Sequence, residues 1–310
     1  MSKRLTVFSF LVVCLLSTIG CVSQSATHVK NFSDASSSLT AHTQTVLDAV
    51  DSSTIERKLH ELATLPPDRV KALSLEDLAY VKGVYANKNK LPVFRAISTL
   101  KKYTNALGNL STADFRKDID SAAEDLYGAM TSMQKEYKEI TTKDLGLKDE
   151  TFAIIATAVD AIGTVIVEKK RADAIKKIVT ENNEHIAVFC DVIHDNVAAN
   201  VDLVKINTNR IVREKIEAYK KQADKMVLES KLVELRKIHT AVNNYNKIDR
   251  LYKDAQKSPM LVKKAHQALY DAVQKDKFTT ENIVKTIGEM NEFKSHLESF
   301  YKELLTEKDK

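Results

Sequence analysis

The side chains best suited to chemistry cluster between positions 181 and 195. Glu181, Glu184, His185, Cys190, Asp191, His194 and Asp195 are all metal-ligand types, and offsets of three and four bring neighbours onto one helix face. Zinc or iron needs three or four ligands converging on a point, and a di-metal bundle site needs two Glu-x-x-His repeats plus two further Glu. The chain contains no Glu-x-x-His, so the stretch predicts neither a metal nor another cofactor. Local catalytic signatures are missing as well. There is no Gly-x-Ser-x-Gly, no His-Glu-x-x-His, no glycine-rich phosphate loop and no Cys/His pair of a recognised pattern. Trp is absent and aromatic residues are 6% of the chain, which argues against a groove that stacks sugars. An enzyme is not expected.

Two further features point at a proton or a membrane. Phe152–Val167 (FAIIATAVDAIGTVIV) is the most apolar run of the body, interrupted by Asp160 and Gly163. Ala153, Ala156, Thr157, Ala161 and Thr164 form small-residue ridges on more than one side, which predicts a central helix with close neighbours. The run is short for a bilayer span, and Asp160 would be costly in lipid. If Asp160 is buried it needs a partner, and a hydrogen bond or ion pair to a neighbouring helix is expected ahead of a proton or metal site. Lys169, Lys170, Arg171, Lys176 and Lys177 follow, and their sevenfold spacing makes a basic strip. It reads as a solvated face, or as a contact for anionic lipid head groups. Asp191-Val-Ile-His194 superficially resembles half of a carboxylate-bridged di-iron motif, without the repeats that complete one.

The N-terminus carries an address. Lys3 and Arg4 precede an apolar stretch from Leu5 to Leu16, too short for a span and closed by small residues, as in a secretory signal. Ser17-Thr18-Ile19-Gly20-Cys21 resembles the lipobox of bacterial lipoproteins, with Thr18 where that family usually has Leu. The resemblance implies cleavage before Cys21, a diacylglycerol on its thiol and a further acyl chain, such as palmitate, on its amine. Two or three chains anchor durably where one does not. Val22 follows, where an Asp would favour inner-membrane retention, so the outer membrane is the expected home. Cys14 leaves with the leader and Cys21 is acylated, so Cys190 stands alone and is expected to pack as a small hydrophobe.

The elements that must position these residues are helices. Seven Gly and four Pro in 310 residues are too few for a sheet with tight hairpins, while 44% hydrophobic and 29% charged residues fit a packed core under solvated helical faces. The expected fold is all-α: an elongated multi-helix bundle with long antiparallel helices and coiled-coil character. The formal charge is +5, two units of which leave with Lys3 and Arg4. The remaining excess is too small to argue for nucleic acid. Residues 1–20 are expected to be a signal peptide, 21–30 a lipidated tether and 31–310 one helical domain.

Along that domain, a helical period opens at Phe32 and ends at Leu65-Pro66-Pro67. Ser74-Leu-Glu-Asp77 predicts a capping box for a helix carrying Leu78, Val81 and Tyr85. A helix over Phe94–Leu107 is expected to close at Gly108, and Ser111 or Thr112 to cap the next. Lys143–Asp149 reads as a loop. Thr164–Ser258 has no Gly or Pro, and a turn is expected at Thr180–Asn183. From Leu228 the period tightens to a heptad seam through Leu228, Leu235 and Val242, interleaved with Ile238, Tyr245 and Tyr252. Pro259 is expected to start a further helix, and Thr279 or Thr280 to cap the last. Leu100, Tyr103, Ala106-Leu107 and Leu110 also resemble a pattern in predicted helical lipoproteins of unassigned function.

The resulting functional expectation is a membrane-anchored lipoprotein that binds or scaffolds an envelope protein, in the periplasm or at the cell surface, through helix faces. Its partners would be the bilayer, through acylated Cys21, and an unidentified envelope protein. Two alternatives compete. One is a membrane-active protein using 152–167, a segment that resembles the buried hairpin of α-helical pore-forming toxins. The other is a helical-bundle metal binder or enzyme.

Overall fold

The computed structural model describes residues 2–113, 116–141, 165–275 and 281–306. Among them there are eight α-helices, two single 3-10 turns and no strand. The helices are α1 (Ser2–Ala63), α2 (Pro67–Lys71), α3 (Leu75–Ala79), α4 (Pro92–Thr112), α5 (Arg116–Thr141), α6 (Val165–Gln222), α7 (Leu228–Gln274) and α8 (Glu281–Thr306). The protein is an all-α multi-helix bundle built on three very long helices, α1 of 62 residues, α6 of 58 and α7 of 47. Scarcity of Gly and Pro permits that length, because few residues in the sequence disturb the hydrogen-bonded spiral.

Inter-helix contacts fix the directions. α7 runs antiparallel to α6: Lys263 Nζ meets the Asp191 carboxylate at 2.7 and 2.8 Å, and Gln274 Nε2 donates to Thr180 Oγ1 at 2.9 Å. α1 runs parallel to α6, since Thr54 meets Asn207 at 3.4 Å and His60 meets Glu214 at 2.7 Å. α8 returns along α7 through Lys264–Glu289 and Arg250–His296. Phe32, Leu39 and Leu47 of α1, Ile97 and Leu107 of α4, Phe189 and Ile193 of α6, Leu269 of α7 and Met290 of α8 are fully or almost fully buried in the shared core.

Several sequence expectations hold. α1 ends at Ala63, ahead of Pro66, and α2 opens with Pro67 in its first turn. The Ser74–Asp77 capping box forms in both directions, with Ser74 N–H donating to Asp77 Oδ2 at 2.8 Å and Asp77 N–H donating to Ser74 Oγ at 3.3 Å.

Others are corrected. The stretch expected as a tether up to Lys30 lies within α1, and Val29 is fully buried. Val29 extends the Phe32 stripe by one turn at a spacing of three. The helix after Ser74 is only five residues long and carries no buried residue. Tyr85, expected on it, instead lies in the connecting segment, where it is buried and its N–H donates to Asp51 Oδ1 at 2.7 Å.

Gly108 does not end α4, which continues to Thr112. A Cβ there would stand 2.6 Å from Ser33 Cβ, so the glycine lets α1 and α4 approach closely. Ser111 and Thr112 accordingly lie within α4, and their hydroxyls donate back to the Gly108 carbonyl at 2.7 and 3.2 Å.

The turn expected at Thr180–Asn183 does not exist. Asn182 stays in the helix and donates to the Ile178 carbonyl at 2.8 Å, while Thr180 and Asn183 reach across to α7. The reversal falls forty residues later, at the 3-10 turn Ala223–Lys225. Pro259 starts no helix and sits inside α7, buried. Its ring leaves the Ala255 carbonyl without a backbone donor, and next to it Ser258 Oγ donates to the Asp254 carbonyl at 3.1 Å. The Lys143–Asp149 loop and the capping threonines 279 and 280 fall outside the described residues.

Candidate interaction surface

The ligand-type residues of 181–195 all lie on α6, and the helix distributes them around its circumference. Glu181 lies 3.9 Å from Lys177. Glu184 accepts a hydrogen bond from the Tyr137 hydroxyl at 3.0 Å, and the Tyr137 ring stands edge-on to His185 with centroids 4.7 Å apart. His185 is buried, which lowers its pKa. Cys190 is fully buried, and burial followed by the nearby Asp191 charge pushes its thiol pKa up. Asp191 faces Lys263, and His194 pairs with its neighbour Asp195 at 3.0 Å. Among the described residues no three His, Cys, Asp or Glu side chains converge on a point that would hold a metal. Cys190 packs as the small hydrophobe the sequence implies.

Asp160 and most of the Phe152–Val167 run lie outside the described residues; 165–167 open α6. Of the basic strip, Arg171 is half-buried and its Nη1 donates to the Ser111 carbonyl at 3.2 Å, tying α6 to the end of α4. Lys177 faces Glu181, and Lys176 also has an interaction partner. Lys169 and Lys170 lie on the first turns of α6, and Cys21 lies on α1; the side chains of all three fall outside the described set. No described helix is long and apolar enough to cross a membrane.

Sequence reasoning missed a fully buried polar contact between helices. His266 of α7 is fully buried, with Nε2 2.9 Å from the Tyr103 hydroxyl of α4 and Nδ1 3.0 Å from Asn183 Oδ1 of α6. Asn183 Nδ2 donates to Gln267 Oε1 at 2.7 Å, which fixes its Oδ1 as an acceptor. His266 therefore carries its proton on Nδ1, and the Tyr103 hydroxyl donates to the bare Nε2. Burial holds the imidazole neutral, its pKa pushed down to about 3, and raises that of Tyr103. This contact joins three helices and is closed to solvent, so it is structural.

The open chemistry lies at the other end of the long helices. From Thr208 to Leu251, the α6–α7 hairpin contains no buried residue among those described. The heptad seam of the sequence is there, but the hairpin covers it incompletely. Ile238, Val242 and Tyr245 are half-buried, while Leu228 is 74% exposed and Leu235 43%. Leu232, outside the seam, is 46% exposed. Two helices can shield only one side of such a stripe from water. At the hairpin's base, α6 and Tyr245 of α7 bound an open groove of about 520 Å³ containing Ile206, Arg210 and Arg213. Arg210 is clamped there by Glu61 at 2.8 Å and Glu214 at 2.9 Å. The segment holding α2 and α3 joins the same end. It leaves α1 three residues after His60, returns where Lys58 Nζ donates to the Lys82 carbonyl at 2.7 Å, and exposes Leu75, Leu78 and Tyr80. The signal that could have revealed this surface is charge rather than periodicity. Residues 208–251 hold eleven Lys and Arg against six Asp and Glu, and the rest of the chain balances at thirty-six each. The hairpin alone thus carries a formal charge of +5, and the rest of the chain, Lys3 and Arg4 included, sums to zero.

Compared with known proteins, the chain matches no protein-family model, no curated protein and no solved structure, so its own geometry carries the functional reading.

Proposed function

We propose that this protein is a lipid-anchored bacterial envelope protein that works by binding, with the α6–α7 hairpin as its docking end and acylated Cys21 as its attachment to the membrane, the outer membrane in particular. The partner is an envelope protein, and the chain acts as a scaffold in the periplasm or at the cell surface rather than as an enzyme. The observation that carries this reading is the hairpin. A two-helix projection with no buried residue among those described gives its own fold little, yet it exposes large apolar side chains of the kind soluble surfaces rarely group together. The N-terminal part of α1 lies at the opposite end, because α1 and α6 run parallel and α1 meets the hairpin in its last turn, through His60 and Glu61.

The test is a photo-crosslinking amino acid placed at Leu232 in living cells, with an equivalent placement at exposed Glu124 on α5 as control. A discrete adduct from position 232 alone is expected; none, or the same products from both positions, overturns the reading. Intact-mass measurement of the wild-type chain and Cys21→Ser tests the anchor, and an unmodified wild-type N-terminus would remove that half of the proposal.

A further inference from the structure

We infer that the exposed stripe of the hairpin receives one acidic amphipathic helix, which docks on the Leu228–Leu232–Leu235 face of α7 and turns the two-helix projection into a three-helix bundle. This inference rests on the binding role proposed above and names the chemistry of the partner.

Three observations converge on that occupant. The first is geometry. Leu228, Leu232 and Leu235 stand at i, i+4 and i+7, the spacing at which a helix presents anchors to another helix, and each is at least 43% exposed. The stripe adjoins the half-buried seam of Ile238 and Val242, so a third helix laid beside it would complete a layer that α6 closes on one side only. The second is charge. The hairpin carries a formal charge of +5. Three of its six acids are already engaged within the protein: Glu214 with His60 and Arg210, Glu217 with Lys220 and Glu234 with Lys237. Arg213, Lys215, Lys225, Lys231 and Arg236 have no carboxylate within ion-pair distance among the described residues. Lys231 and Arg236 flank the leucines directly, with Glu229 the one acid on that rim. The third is stripe width. At 100° per residue Leu228, Leu232 and Leu235 fall within about 60° of one another, a seam one helix wide, and exposed Val227 and Val233 stand about 80° and 100° outside it beyond Lys231 and Arg236, whereas a helix lying in a lipid interface presents a continuous broad apolar face. A second copy pairing through this face would bring two +5 hairpins together, and like charge opposes that arrangement. An acidic helix satisfies both the apolar stripe and the unpaired cations.

The probe is a synthetic helix of about four heptads with Leu at a and d and Glu at e and g, with a Lys-for-Glu version as control. Like-charge repulsion keeps each peptide from pairing with itself. Titrated against the full-length chain in neutral detergent, the acidic peptide is expected to bind, more weakly as NaCl rises, and the basic peptide not to bind. Leu232→Glu combined with Leu235→Glu is expected to weaken acidic-peptide binding at least about tenfold while leaving the helical circular dichroism and urea midpoint unchanged. Arg236→Glu is expected to weaken it and steepen no salt dependence. Equal binding of both peptides, or binding of neither, overturns the inference. So does a dimer at sedimentation equilibrium that the double variant dissolves, which assigns the face to a second copy. A dye on Ser230→Cys that shifts to the blue on anionic but not zwitterionic vesicles assigns it to a lipid surface and overturns it equally. If crosslinks form at position 232 in cells while the acidic peptide fails, the partner chemistry alone is wrong; if both fail, the binding role itself falls.

Discussion

The Tyr103 hydroxyl and the His266 Nε2 meet 2.9 Å apart at a point where α4, α6 and α7 converge, and neither ring reaches solvent. Because Asn183 accepts from Nδ1, the imidazole is held in one tautomer and excluded from taking a second proton. This makes the bundle sensitive to acid. In the unfolded chain His266 takes a proton near pH 6.5; in the folded chain it does so only near pH 3. Between those values the unfolded state binds the extra proton, so stability falls as pH falls, by about 1.4 kcal/mol per pH unit. Lowering the pH from 7 to 5 is expected to cost about 2 kcal/mol through this residue. His185, whose pKa burial also lowers, acts in the same direction. Urea midpoints at the two pH values check it: His266→Gln should show a shallower pH dependence than wild type, and an unchanged dependence would remove His266 as the cause.

Two glycines predict opposite responses to the same change. Gly108→Ala forces a methyl to within 2.6 Å of Ser33 Cβ on the facing helix and is expected to destabilise by about 1–3 kcal/mol. Ser33→Gly should recover part of that loss, as a double-mutant cycle would reveal. Gly288→Ala meets nothing within 4 Å and lies inside α8, so it is expected to stabilise by about 0.5–1 kcal/mol. Thermal melts of the three variants decide both signs.

Much of the fold was legible in the sequence because its signals are local. Low Gly and Pro content and the 3.6-residue stripes gave helices, Leu65-Pro66-Pro67 gave a stop, and Ser74–Asp77 gave a cap. Misreadings arose where a local signal served a tertiary purpose. Gly108 provides close approach rather than a terminus, and the polar run Thr180–Asn183 hydrogen-bonds to its own helix and to α7 rather than breaking α6. Pro259 is tolerated inside α7. The true reversal at Ala223–Lys225 has neither Gly nor Pro, and no side chain caps α7 at Val227. Its one trace is the change of hydrophobic period at Leu228, a shift of packing partner rather than a turn motif. The Tyr103–His266 contact spans 163 residues, and its pairing has no sequence-local expression at all.

Core and hairpin should separate cleanly on substitution. Leu232→Glu replaces an exposed side chain and is expected to change stability by less than about 0.5 kcal/mol. Ile193→Glu, a position buried at the centre of α6, places an unpaired carboxylate in the core and is expected to abolish cooperative folding. Denaturation curves of the two proteins make the comparison, and a large loss from Leu232→Glu would mean that the hairpin is folded against something other than water.

Cys190 offers a readout of global opening. Its thiol is fully buried and its pKa is raised, so a thiol reagent reaches it only after the bundle opens. In a Cys14→Ser, Cys21→Ser background, labelling is expected to run at least about a thousandfold slower than in denaturant. Fast labelling under native conditions would contradict the packing of α6.

The parallel course of α1 and α6 sets a distance. Val29 to His60 covers thirty-one residues, about 47 Å of helix, and Glu214 to Gln222 adds about 12 Å. Since α1, α6 and α7 are held in mutual register by side chains along their length, none can be shortened alone without mismatching the others. The molecule thus behaves as a gauge: whatever meets the tip of its hairpin must stand about 60 Å from whatever lies beside Val29, and a change in that spacing would require matched deletions in three helices at once.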